Sequence, residues 1–197
     1  AQVKVNGKRM KVSPVAGEYF RIERTWKNGD RVELVLPMHL TMRTWQVNKN
    51  SVSVNYGPLT LSLKIGEEFI RRDSRETAIG DSKWQKGADA ENWPSYEIHP
   101  TTAWNYALVL GEKDPLEGFE VVKKSWPSDN FPFTPGNVPL EVKAQGRRIP
   151  SWKIDKYGLC AVLPETDAPK SPQIENITLI PMGAARLRIS AFPAVSE

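Results

Sequence analysis

An all-β fold, one or two antiparallel β-sandwiches of about ten to twelve strands, is what this sequence predicts. Three observations carry that expectation. Short runs of alternating apolar and polar residues recur along the chain, each bounded by Gly, Asn, Asp or Pro turn chemistry. Sixteen prolines and thirteen glycines punctuate 197 residues that hold no long apolar helical stripe. The stretch Gly17 to Met38, GEYFRIERTWKNGDRVELVLPM, has the pattern of a complete β-hairpin.

In chain order, VKVNGKRMKV is a first hairpin with Asn6-Gly7 at its turn. In the second, Phe20, Ile22, Arg24 and Trp26 share one face and Tyr19, Arg21, Glu23 and Thr25 the other. Past the turn, Val32, Leu34 and Leu36 alternate with Arg31, Glu33 and Val35. Asn28-Gly29 tolerates positive φ at both positions and so suits the type I′ turn whose twist matches paired strands. His39, in LPMHL, closes this strand. In SVSVNYGPLTLSLKIG, Val52, Val54 and Tyr56 alternate with Ser51, Ser53 and Asn55, and Leu59, Leu61, Leu63 and Ile65 continue past Gly57-Pro58. These read as half-buried strands, polar on one side.

From Arg71 to Pro100 the sequence is charged, lacks a period of two or of 3.6, and reads as an irregular connector. Strand patterns resume over residues 104–111, 118–124, 138–149, 157–164, 175–182 and 185–193. Between them, SWPSDNFPFTPGNVP and TDAPKSP are proline-rich loops that cannot join a central sheet. The predicted organisation is a first sandwich segment at 1–70, the connector at 71–100 and a second segment at 101–197, packing as one unit with the first or separately.

Apolar residues make up 40% of the chain, enough for a core, and no run approaches the roughly 18 needed for a membrane-spanning helix. The 27 Lys and Arg are interspersed with 23 Asp and Glu, so the net charge of +4 is not gathered into a phosphate-binding patch. Nucleic acid and membrane are therefore not expected partners. The chain begins at Ala1 in strand-like sequence, so any secretion signal has been removed or lies upstream. Cys160 is the single cysteine, which excludes an intrachain disulfide and a thiolate zinc cluster; in YGLCAVL it reads as a buried, inert thiol.

Carboxylates suited by spacing to paired acid–base work are Glu67-Glu68, Asp89 with Glu91, Glu97, and Glu117 with Glu120, but spacing alone does not make them a pair. His39 and His99 have no HExxH spacing. GxSxG, GxxxxGK and GxGxxG are all absent, so no catalytic, metal or cofactor residue is assigned. Asn176-Ile177-Thr178 matches a glycosylation sequon. Of the seven tryptophans, Trp26, Trp104 and Trp152 lie in or beside strand patterns and are expected in cores. Trp84, Trp93 and Trp126 lie among polar residues and prolines; with Tyr96 they are the candidates for stacking on sugar rings or docking on another domain.

GEYFRIERTWKNGDRVELVLPM, VNYGPLTLSL, NWPSYEIHPTTAWNYALVL and ITLIPMGAARLRISAFP together resemble the region that follows the catalytic barrel in glycoside hydrolase family 127. That family comprises β-L-arabinofuranosidase-like proteins, formerly a domain of unknown function, abundant in Bacteroides-type bacteria. The resemblance implies a periplasmic or secreted multi-domain enzyme whose site lies in an upstream (α/α)6 barrel, with a cysteine nucleophile and a glutamate in a cysteine-rich zinc site. None of those residues maps onto this chain, whose Cys160 has no companion cysteine. The expectation is a non-catalytic region that braces the barrel, its partner, and shapes the substrate cleft. The alternative is a carbohydrate-binding module for plant-type polysaccharide or oligosaccharide.

Overall fold

A computed structural model describes residues 1–11, 15–72, 91–92 and 94–196. These residues are all-β, as the sequence predicts, apart from one 3-10 turn. They divide into two compact units, Ala1–His39 and Leu40–Glu197.

The first unit is a three-stranded antiparallel sheet of β1 (Gln2–Val5), β2 (Lys8–Arg9) and β3 (Val32–Val35), in the order β2-β1-β3. Asn6 (φ 51°) and Gly7 (φ 75°) both take the left-handed conformation, which is the type I′ turn expected between β1 and β2. The second expected hairpin does not form. Residues 19–26 are not a strand, and β3 pairs instead with β1, Val3 opposite Leu34 and Val5 opposite Val32.

The reason lies in the second turn. Gly29 has φ 87° whereas Asn28 is not left-handed, so the turn has the type II signature, whose twist splays flanking strands. Asp30 fixes it there. Its amide donates to Lys27 O at 3.1 Å, and its carboxylate accepts from Lys27 N at 2.9 Å and Asn6 Nδ2 at 2.6 Å. Arg24 adds an ion pair at 3.1 Å and lies 5.0 Å over the Trp26 ring. The Arg24-Trp26-Asp30 string thus ties two turns together. Trp26 itself is exposed, contrary to its expected core position, because no strand carries it into a core.

The second unit contains β4 (Leu40–Trp45), β5 (Ser51–Tyr56), β6 (Leu59–Leu63), β7 (Glu67–Arg72), β8 (Ser95–Pro100), β9 (Tyr106–Leu110), β10 (Glu120–Lys123), β11 (Leu140–Arg148), β12 (Ile174–Pro181) and β13 (Ala194–Ser196). Eight of them form one curled sheet in the order β13-β9-β11-β12-β6-β5-β4, with β10 beside the first half of β11. Pairing is antiparallel except between β13 and β9. Early and late strands meet at β6–β12, where Leu63 lies opposite Leu179. The core on the inner face includes Val54, Leu61, Leu108, Val142, Leu179 and Phe192, all fully buried.

β5 and β6 form the expected hairpin across Gly57-Pro58, but their serine face is buried too. The segment 185–193, expected as a strand, covers that face as irregular backbone. Val52 and Phe192 exchange both backbone hydrogen bonds at 2.8 and 2.9 Å, and Leu63 N donates to Ile189 O at 2.8 Å. The buried hydroxyls are satisfied by the same segment: Ser53 Oγ donates to Ser190 O and Ser62 Oγ to Ile189 O.

Residues 157–164 also fail to form a strand. Asp155 Oδ1 accepts from Tyr157 N and Leu159 N at 2.8 and 2.9 Å, and Gly158 turns at φ 78°, which closes a tight loop. Cys160 on this loop is exposed rather than buried. His39 lies outside any strand, just before β4. The stretch read as irregular from Arg71 to Pro100 carries paired strand at both ends, β7 and β8 matching over six residue pairs from Glu67–Pro100 to Arg72–Ser95.

Candidate functional site

Trp126 sits in the proline-rich loop after β10 and lines a groove of about 450 Å³. Prolines with fixed φ and side-chain bonds to backbone shape this loop. Asn130, left-handed at φ 55°, donates its amide to Pro127 O, and its Oδ1 accepts from Trp126 Nε1 at 2.7 Å. Asp129 Oδ1 accepts from Phe131 N, while Asn137 Nδ2 reaches Asp129 Oδ2 at 3.3 Å. The side chains of Asp129, Asn130 and Asn137 are engaged in holding the loop, and its aromatics are left exposed. Phe131 and Phe133 meet edge-on, their ring centroids 5.4 Å apart.

The remaining walls come from the β5–β6 turn (Pro58, Leu59, Thr60), from Pro132 and Pro139, and from the end of β12 with the 3-10 turn Met182–Ala184. Trp126 is 60% exposed and Phe133 58%; Leu59 and Met182 are also exposed. Thr60 contributes the one side-chain hydroxyl, and it already donates to Asn55 Oδ1 at 3.0 Å. No ionisable side chain lines the groove. Its chemistry is therefore apolar contact, with neither a general acid nor a base to offer.

The other sequence candidates lie elsewhere. Trp84 and Trp93 fall outside the described residues. Tyr96, half exposed on β8, packs edge-on against Phe69 at 6.2 Å and does not line the Trp126 groove. Leu59, Phe133 and Met182 belong to the groove without having been singled out; Phe133 carried a signal, an aromatic among prolines next to Trp126. Trp104 and Trp152 pack edge-on at 5.2 Å, with Trp152 buried as expected.

Two of the spaced carboxylates are engaged in ion pairs. Glu67 is held by Arg186 at 3.1 Å and Glu97 by Arg72 at 3.0 Å and His99 at 3.1 Å. The hydrogen bonds from Arg72 and His99 hold the Glu97 carboxyl below its ordinary range, the opposite of what a general acid needs. Asp89 lies outside the described residues. Cys160, at the rim of a 110 Å³ pocket beside Trp104 and Arg188, has its thiol pushed up by partial desolvation, against the activation a nucleophile requires. Among the described residues no three His, Cys, Asp or Glu side chains are grouped as metal ligands.

The strongest electrostatic feature is structural. Glu141 on β11 is 3% exposed and binds Lys64 at 2.8 Å, Lys124 at 2.8 Å and Lys143 at 3.3 Å. Burial alone would raise its carboxyl; the hydrogen bonds from Lys124 and Lys64 outweigh burial and hold it down at about 2.

Fold and site together define an all-β region with an apolar groove lined by Trp126, Phe133, Leu59 and Met182 and by no ionisable side chain. Residues 1–38, within the first unit, match the family model "Beta-L-arabinofuranosidase, GH127 middle domain". A solved structure titled "Glycoside hydrolase" superposes over 98% of the chain with a TM-score of 0.51 at 17% identity, a likeness of fold. A GH127 β-arabinofuranosidase matches 98% of the chain (TM-score 0.49, 19% identity), and the GH127 β-L-arabinofuranosidase Ara127N of Geobacillus stearothermophilus T6 matches 100% (TM-score 0.47, 16% identity). The chain spans about a quarter of each: 26%, 23% and 24% of their lengths. No curated protein matches its sequence.

Proposed function

We propose that this chain is a non-catalytic β-region of a bacterial, periplasmic or secreted glycoside hydrolase of β-L-arabinofuranosidase type, bracing an (α/α)6 catalytic barrel and shaping one wall of its substrate cleft. The Trp126 groove carries the proposal. Its walls are apolar, the Asn130 and Asp129 side chains beside it are bonded within the loop, and it bears no ionisable group, so it suits contact with another protein surface better than chemistry on a sugar. The GH127 middle-domain match of residues 1–38 supports the enzyme class. No cofactor is assigned to this region.

The test compares the isolated chain with a polypeptide in which it follows a GH127-type catalytic barrel, both on an aryl β-L-arabinofuranoside. The proposal expects turnover only from the longer polypeptide, and a lower melting temperature there when Trp126 is replaced by Ala. Turnover by the isolated chain, lost on substitution of a single carboxylate, contradicts it.

The carbohydrate-binding reading rests on one observation: Trp126 is 60% exposed, and with Nε1 tied to Asn130 the indole is pinned as a flat platform. Isothermal titration with arabinan and arabinogalactan oligosaccharides separates the readings. Heat of binding that vanishes in Trp126→Ala favours the module; no heat with any of them favours the brace.

A further inference from the structure

We infer that β10, β11 and β12 carry, on the face turned away from the core, a binding site for a neutral oligosaccharide that is separate from the Trp126 groove. The ligand class follows from the groups that line the site; only the choice of an arabino-oligosaccharide as first probe rests on the glycoside-hydrolase reading above.

Strand register gathers the side chains. Glu120 lies opposite Lys143, Lys143 opposite Thr178 and Gln145 opposite Asn176, so all five share one face. The alternate residues Val142, Ala144, Ile177 and Leu179 are buried in the core behind them. The five line a groove of about 460 Å³, the scale of a small-ligand site. Gly118 and Gln145 also line a 150 Å³ extension of it, which holds Glu117 and Phe119. Gly118 has no side chain to divide the two spaces.

The groove is distinguished by unspent hydrogen-bonding capacity. Among the described residues, the carboxylates of Glu117 and Glu120 and the side-chain amides of Gln145 and Asn176 have no protein partner. Lys143 gives two of its three ammonium protons, to Glu141 at 3.3 Å and to Thr178 at 3.0 Å, and keeps the third. Each amide offers an acceptor and two donors, and each carboxylate only acceptors. Donors and acceptors therefore lie side by side, as sugar hydroxyls, which both donate and accept, require. The Trp126 groove has the reverse character, apolar walls without an ionisable side chain.

Charge narrows the class. Two carboxylates stand against one ammonium that Glu141 already shares, so the groove is locally negative and disfavours a uronate. A basic peptide would engage the carboxylates and leave both amides idle. The groups are exposed and hydrated in the free chain, so binding exchanges water for hydroxyls and the affinity is modest. Asn176 stood out in the sequence for its sequon and Glu117 with Glu120 for their spacing; the fold brings all three to this one groove.

The test is NMR titration of the 197-residue chain with arabinotetraose, galactotetraose, xylotetraose, tetragalacturonate and tetralysine, read at the side-chain amide signals of Gln145 and Asn176. At least one neutral tetrasaccharide should shift both amides and approach saturation by about 10 mM, with tetragalacturonate at least about 10-fold weaker. Gln145→Ala and Asn176→Ala should each weaken that binding about 10-fold, whereas Trp126→Ala should leave it unchanged. All three positions are exposed, and an unchanged backbone spectrum shows that each variant is folded. No shift with any neutral tetrasaccharide overturns the inference. Binding that survives both amide substitutions, or that is lost in Trp126→Ala, places the sugar elsewhere and overturns it too. Tetralysine binding tighter than every neutral sugar, and lost in Glu120→Gln, overturns the ligand class. Binding of galactotetraose or xylotetraose without arabinotetraose supports the site and counts against the arabinofuranosidase reading.

Discussion

Replacing Glu141 by Gln removes the charge on which three lysines converge while keeping the side chain's shape. The folded carboxyl is held at about 2 against an ordinary 4.5. That difference is worth about 3 kcal/mol, and screening of the partly exposed lysines brings it to about 2. The sign follows from the direction. A depressed carboxyl contributes its full stability above pH 4.5 and loses it as pH falls through 4.5 toward 2, where the folded state must also take up the proton. Urea unfolding followed by tryptophan fluorescence should therefore show Glu141→Gln about 2 kcal/mol less stable than the parent at pH 7, with the gap closing toward zero near pH 2. A gap of the same size at pH 7 and pH 2.5, or no gap at pH 7, refutes the assignment of this stability to the buried charge.

Phe192→Ala should cost about 3–5 kcal/mol in the same assay, because the side chain is fully buried where the C-terminal segment closes over β5. Gly146→Ala should cost about 1–3 kcal/mol, since its Cβ would stand 3.1 Å from Tyr106 Cδ1 and 3.2 Å from Ala107 O, and a melting temperature unchanged within a degree would contradict that packing. Trp126→Ala in the isolated chain should leave its unfolding free energy within about 0.5 kcal/mol of the parent, because an exposed indole contributes little to the fold itself.

The sequence was most legible where local chemistry decides the outcome. Asn6-Gly7 had both residues free to take positive φ and a short register to fix, and it formed the turn it announces. Val142 and Ala144 alternate with Lys143 and Gln145, and β11 follows that pattern. Legibility failed where a side chain overrode the period. Asp30 captures the backbone of Lys27 and the side chain of Asn6, and converts a hairpin signal into a turn that sends β3 to a partner 29 residues away. Asp155 does the same to residues 157–164. The serine face of β5 looked polar because period two assigns polar residues to solvent; Ser190 O and Ile189 O, over 120 residues later, satisfy those hydroxyls and bury them. The groove was half legible for a related reason. Trp126 announces itself among prolines, whereas Leu59 and Met182 have ordinary surroundings in sequence and reach the groove through the β6–β12 pairing.

The central claim is that this region supports catalysis without performing it. Steady-state hydrolysis of an aryl β-L-arabinofuranoside by the isolated chain, and by the polypeptide joining it to a GH127-type barrel with and without Trp126→Ala, tests that claim most directly. The account predicts no turnover by the isolated chain, turnover by the joined polypeptide, and loss of that activity at lower temperature in the Trp126 variant. Turnover by the 197 residues alone, removed by one carboxylate substitution, would contradict it.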